Sequence, residues 1–314
     1  MTKQRGRKRK FSECKENMPP KIRIDRTKIV LNEQDWMPAA ATEFYNSKHY
    51  ERLRNELALV DNDIVFFGPF RKLKENSDVN GVELIMLDRE QSDLPEMQTF
   101  MKCGTGRYSF WRDEPSERNP VVMFLDQHTC PEVTVVGNKV EHAIHHLCMR
   151  VSKYQDNTKE IKEAISTILD ILGDNAMKDE IARVIRNRKR ETIVGIVGPG
   201  LLVGELPRGG SRYRVMDDAQ NPNIESLLRC LKHVPFPKQQ DTVVDIIDSL
   251  MGDFTVYNDE GFYGNGLELG HLLFLANHKS VSNQALILLQ TAYQLLKRND
   301  FITILKLTLE LRDH

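Results

Sequence analysis

The 314-residue chain has no run of about 18 apolar residues, so nothing in it reads as a membrane-spanning helix. Its basic N-terminal stretch is followed by no apolar segment, which speaks against a secretory signal. The five cysteines, Cys14, Cys103, Cys130, Cys148 and Cys230, are odd in number, widely spaced and form no C-x-x-C pair. That usage excludes a disulfide framework and fits a reducing compartment. Positive charge is missing from one long stretch: between Lys238 and Lys279 there is no Lys or Arg, while Asp241, Asp245, Asp248, Asp253, Asp259, Glu260 and Glu268 supply seven carboxylates. Whatever docks there should be cationic.

What is present is ordinary for a globular protein, with 28% charged and 40% hydrophobic residues, but unevenly distributed. The formal net charge of -1 combines eleven Lys and Arg against three acids in residues 1–29 with an acidic remainder. Residues 1–29, including Arg7-Lys8-Arg9-Lys10 and Pro19-Pro20, have little to bury and read as a disordered basic tail. Such a cluster suits a nuclear localisation signal or a phosphate-binding arm, or is a solvated charge run. It is the one feature from which direct nucleic-acid binding would be argued.

Residues 30–137 read as an α+β domain. The spacing predicts a helix over Glu43–Leu59, then strands at Ile64–Phe67, Val82–Leu87, Met97–Met101, Tyr108–Trp111, Val121–Leu125 and Val133–Val136, separated by turn formers. Six short strands with small loops favour an antiparallel sheet with helical cover. Residues 138–314 read as a mostly helical domain. Helices are expected over Asn138–Tyr154, from the capping-box-like Asn157-Thr158-Lys159-Glu160 to Gly173, and over Ala176–Arg190. More follow at Ile224–Leu231, Thr242–Leu250, Leu267–Ala276, Val281–Lys297 and Phe301–Leu311, with Gly252 and Asn299 as terminators and the Val281 helix as the buried centre.

Several chemistries are weak on spacing. His142, His145, His146 and Cys148 crowd one predicted helix, but no carboxylate sits at a matching ligand spacing, and no metal site is assigned. Gly198-Pro199-Gly200 and Gly204 fail the G-x-G-x-x-G pattern and are followed by Pro207, so a hairpin or exposed loop is expected there. No Ser/His/Asp order, zinc signature or phosphate loop can be assembled, which argues against a self-contained enzyme.

Two stretches stand out. Ser211-Arg212-Tyr213-Arg214 places an aromatic between two guanidinium groups, suited to gripping a carboxylate or phosphate. Tyr257 to Gly270 places Asp259 and Glu260 before Gly261, Gly264 and Gly266, which reads as an acid-bearing loop ahead of a helix starting near Leu267. The acids could act on a partner's proton, with Glu260 as a general base. Equally, they could cap the helix behind them.

Asn258-Asp259-Glu260, Tyr263-Gly264, Gly266 to Gly270, Ala292-Tyr293 and Leu295 to Asn299 resemble the C-terminal signature of the histone PARylation factor family. Leu94-Pro95-Glu96, Phe110 to Pro115, Pro120-Val121 and Tyr213-Arg214 agree with it. The resemblance runs from about residue 40 to 312 and implies an accessory factor, inactive alone, for DNA-break-activated poly(ADP-ribose) polymerases. It implies docking on the polymerase catalytic domain to complete a shared active site that directs ADP-ribose to serine on histones. By the same resemblance Glu260 is the base for the acceptor serine, Asp259 and His278 serve the interface and the placing of Glu260, and Tyr213 and Arg214 contact the polymerase. It further implies that NAD is held by the polymerase and not by this chain, that histone tails are partners, and that the protein works in the nucleus, on chromatin at DNA breaks. Gly261, Phe262, Arg212 and Val215 depart from the family pattern, and the tail carries no zinc-finger spacing. Without the resemblance, a histone-tail-binding module and an independent hydrolase using Asp259 and Glu260 fit the same residues.

Overall fold

A computed structural model describes residues 29–33, 35–126, 133–153, 157–193, 199–215 and 237–312. The expected basic tail and the helix at Ile224–Leu231 lie outside the described residues. The fold is α+β. Five antiparallel strands run in the order β1 (Val65–Phe66), β2 (Met97–Cys103), β3 (Gly106–Trp111), β4 (Val121–Asp126) and β5 (Val133–Gly137), so sheet order follows chain order.

The sheet is buried on both faces, which is why its strands read as nearly continuous apolar runs. On one face Phe100, Tyr108, Phe110, Val122 and Phe124 pack with α1 (Ala39–Tyr45), α2 (Tyr50–Val60), α3 (Pro69–Glu75), α5 (Val140–Val151) and α6 (Lys159–Leu172). On the other, Met97, Trp111, Met123 and Leu125 join a cluster formed with the C-terminal helices. α7 (Asp174–Glu191) packs along β5, α5 and α6.

Two expectations in the N-terminal half are corrected. The predicted helix over Glu43–Leu59 is two helices broken at Asn46–His49. The chain turns there so that Phe44 and Tyr50 meet edge to face at 5.4 Å. Val82–Leu87 is not a strand: Val82 to Met86 belong to α4 (Gly81–Met86), a single short helix that buries Leu84 and Ile85, ends at Leu87 and packs on the last helix of the chain. Thr158 caps α6 by accepting the Ile161 N–H, and Gly173 ends it at φ 71, as the sequence predicts.

The C-terminal half contains α8 (Pro237–Asp259), α9 (Gly264–Ala276), a one-turn 3-10 helix (Lys279–Val281), α10 (Ser282–Leu295) and α11 (Asn299–Glu310). Gly252 does not terminate a helix. α8 runs through it, because a solvent-facing glycine costs only about 1 kcal/mol, and Val243, Ile247, Leu250 and Phe254 anchor the same helix in the core. Asn299 opens α11 instead of closing the helix before it. The buried centre is α9, in which all thirteen residues are buried, and not the amphipathic α10. Gly270 makes that possible, since an added Cβ would meet the Leu289 side chain at 2.8 Å; the two helices approach at a distance only glycine permits.

The two halves are joined by buried polar groups. Glu96 accepts from the Tyr293 hydroxyl at 2.8 Å and bonds His271 Nε2 at 2.8 Å. Burial pushes the Glu96 carboxyl up, but the facing His271 and these hydrogen bonds outweigh it and hold the group below its usual range. Arg89, buried, donates to Thr308 Oγ1, to the Met97 carbonyl at 2.7 Å and to the Leu94 carbonyl. Arg188 of α7 pairs with buried Asp113.

Candidate functional site

Of the acidic pair only Glu260 lies in the short turn before α9, Asp259 being helical, and neither acid caps that helix. Asp259 is the last residue of α8 and Glu260 follows it as the C-cap. The Gly261 N–H bonds the Asn258 carbonyl at 3.0 Å and the Phe262 N–H bonds the Tyr257 carbonyl at 2.8 Å, with Gly261 at φ 93. That is a Schellman closure with glycine in the left-handed position it requires. Gly264 and Gly266 have ordinary helical roles. Gly264 leaves room for Tyr213, whose Cδ2 would lie 3.0 Å from an added Cβ.

A carboxylate at this position faces the negative end of a helix dipole. Arg214 compensates: its Nη1 donates to Glu260 Oε2 at 2.8 Å, with both side chains about half exposed, at 45% and 49%. Its guanidinium lies 4.6 Å from the Tyr257 ring centroid and 6.0 Å from that of Phe262, so it is held as a flat cation between rings. Glu260 Oε1 makes no hydrogen bond among the described residues. The result is a carboxylate oriented through one oxygen and open to solvent through the other.

Arg214 is delivered by an arm, residues 199–214, laid over the start of α9. Arg188 Nε holds the Pro199 carbonyl at 2.8 Å, and Arg298 holds the Leu202 carbonyl. Antiparallel bridges pair Ile193 with Leu201 and Glu205 with Ser211, the hairpin-like course expected for this glycine-rich stretch. The Gly264 N–H then bonds the Arg212 carbonyl at 2.9 Å, and Asn265 clamps Arg214 from both sides, accepting its N–H at 3.0 Å and donating to its carbonyl at 2.8 Å. Tyr213 turns away from solvent and donates its hydroxyl to buried Glu268 at 2.7 Å. Burial first, and the Glu268 carboxylate next, push the Tyr213 phenol above its usual range, so it stays a donor. Arg212 stacks on Tyr263 at 4.8 Å.

Thus Arg214 and Glu260 are brought together, with exposed Asp259 beside them, while Tyr213 is an inward strut. His278 stands apart from the pair: its Nδ1 accepts from the Ser280 N–H at 3.2 Å at the head of the 3-10 turn. Sequence reasoning did not single out Asn265, Tyr257 or Phe262, which position Arg214. Their signal was available only in part, as aromatics flanking the two acids. Of the seven carboxylates in the cation-free stretch, Glu268 is buried and the other six are exposed.

The three histidines of α5 go three ways. His145 Nε2 meets Asp174 at 2.8 Å, His146 Nδ1 meets the Tyr108 hydroxyl at 3.0 Å, and His142 Nε2 faces Glu180 at 3.7 Å. Burial, then Arg150, pushes His146 down to about 4, leaving it neutral. No group of three or more metal-type ligands occurs among the described residues.

The chain matches the family model described as Histone PARylation factor 1 over residues 19–312, and it belongs to that family.

Proposed function

We propose that this chain, as an accessory factor for histone PARylation, lends Glu260 to the active site of a poly(ADP-ribose) polymerase. The observation that carries the reading is the half-exposed Arg214–Glu260 pair, which fixes one carboxylate oxygen and leaves the other open. Serine is a poor nucleophile until a base takes its proton. With a partner covering the α8 end, Glu260 Oε1 accepts that proton, and the serine oxygen attacks the ribose carbon of polymerase-held NAD as nicotinamide leaves. Among the described residues the pair is joined by exposed Asp259 and by no metal-ligand group, which supports a chemistry divided between two proteins.

The exposed carboxylates Asp241, Asp245, Asp253 and Asp259 give this face a negative field. Such a field favours serines next to lysine, as in histone tails, and a nuclear, chromatin-bound setting follows from that substrate. Arg214, Phe262 and the protruding Val215 and Val256, 83% and 55% exposed, offer a mixed cationic and apolar rim for the polymerase.

Reconstitution tests this. Polymerase, broken DNA, NAD and a Lys-Ser histone peptide should yield serine-linked ADP-ribose only when this protein is added. Cleavage of NAD without the polymerase would favour an independent hydrolase, and binding of the peptide with no effect on transfer would favour a tethering module.

A further inference from the structure

We infer that the outward face of α7 is a docking surface for the phosphate backbone of duplex DNA. α7 places Met177 and Arg188 inward, and Arg183, Arg186 and Arg190 outward at i, i+3 and i+7, with exposed Lys189 beside them. Among the described residues none of these four cations is in an ion pair, while Arg71, Lys139, Arg150, Lys178 and Arg214 each have a carboxylate partner; exposed Lys48, Arg52, Lys74 and Lys306 are also outside the ion pairs, so what sets α7 apart is four such cations within eight residues of one helix.

The helix dipole accounts for part of this charge only. It favours cations within the last turn, where Lys189 and Arg190 lie, but Arg183 and Arg186 precede that turn. Like charges three and four apart, at Arg183 and Arg186, Arg186 and Lys189, and Arg186 and Arg190, oppose helix formation, and only at Arg183 does an acid four residues earlier, Asp179, offset this. A helix in a chain of net charge -1 thus carries a self-repelling positive stripe, which a polyanion would relieve. The stripe spans about 10 Å of helix axis, seven residues at about 1.5 Å each, close to the roughly 12 Å width of the B-DNA major groove. Phosphates on both of its edges are then within reach.

The surface is separate from Glu260 but coupled to it mechanically. The turn that carries Lys189 and Arg190 outward carries Arg188 inward to Pro199, where the arm that ends on Arg214 and Glu260 begins. DNA held on α7 would therefore sit at a fixed position relative to the carboxylate.

The test uses the full chain and a short labelled blunt duplex, followed by fluorescence anisotropy over a series of salt concentrations. Replacing Arg183, Arg186, Lys189 and Arg190 together by Gln should weaken binding by about tenfold or more and flatten the dependence of log K on log salt by up to about 3.6, near 0.9 per lost phosphate contact. Replacing Lys48, Arg52, Lys74 and Lys306 by Gln removes the same charge from other exposed positions and should leave affinity within about twofold of the parent. Both variants keep the basic tail. Should the first variant fold poorly by circular dichroism, an Arg183→Lys/Arg186→Lys/Arg190→Lys protein, which keeps the charge, should bind as the parent does. Serine transfer to a free peptide should be unchanged in the α7 variant, which separates this proposal from the one on Glu260. Equal weakening by both charge sets, undiminished binding by the α7 variant, or capture of an acidic protein surface in preference to DNA would each overturn it.

Discussion

Glu96 and Glu260 are two carboxylates of one chain used in opposite ways. Glu96 is 2% exposed and satisfied by His271 and Tyr293, locking the sheet to α9 and α10. Glu260 is about half exposed, bound through one oxygen to one guanidinium, and packed against nothing that depends on it. Removing one partner of a buried polar cluster leaves the others desolvated and unpaired, which costs several kcal/mol. Removing one partner of an exposed pair costs little. The seam is therefore where this protein keeps its stability, and the end of α8 is where it can spend a charge on function.

The contrast breaks most visibly at the seam. Glu96→Ala should lower the unfolding free energy by about 3–5 kcal/mol, since His271 and the Tyr293 hydroxyl lose their partner in the core. Denaturant melts would show it, and a loss under about 1 kcal/mol would mean that the seam is adaptable.

A pH series sharpens the comparison at an intermediate site. Glu117 is pushed up to about 7, by burial first and then by neighbouring Asp113. The folded state holds its proton more tightly than the unfolded chain, so the stability it contributes is complete below about 4.5 and is lost as pH rises through about 7. The protein should lose on the order of 1–3 kcal/mol over that window, and Glu117→Gln should flatten the slope. An unchanged slope in the variant would place the titration elsewhere.

The smallest stability effect belongs to the exposed pair. Arg214→Ala should cost at most about 1 kcal/mol in stability, while weakening polymerase binding measurably by calorimetry. Unaltered affinity would remove Arg214 from the interface.

Much of this was legible in the sequence because it is local. The strands from Met97 onward are bounded by turn formers, and Thr158 and Gly173 mark their helix ends by chemistry that acts within a few residues. Val82–Leu87 was misread because six mostly apolar residues carry no usable period; burial of Leu84 and Ile85 against distant α11 decides for helix. Gly252 failed as a stop because tertiary anchoring on both sides of it outweighs the cost of one glycine. At the site, the acids and the Arg-Tyr-Arg triplet could each be picked out. Their meeting could not, since Arg214 and Glu260 are separated by 46 residues and joined by an arm whose course depends on Arg188, Arg298 and Asn265. Nor could the placing of Glu260 at the end of α8 be read, because the helix stop is the backbone conformation of Gly261 and two other glycines nearby looked equivalent.

The central claim is tested most directly by measuring, for Glu260→Gln, both polymerase affinity and the rate of serine transfer in the reconstituted system. The account predicts affinity within a few-fold of the parent and a rate reduced by roughly 10²- to 10⁴-fold, the usual contribution of a general base. Serine transfer at the parental rate by a variant that still binds would contradict it.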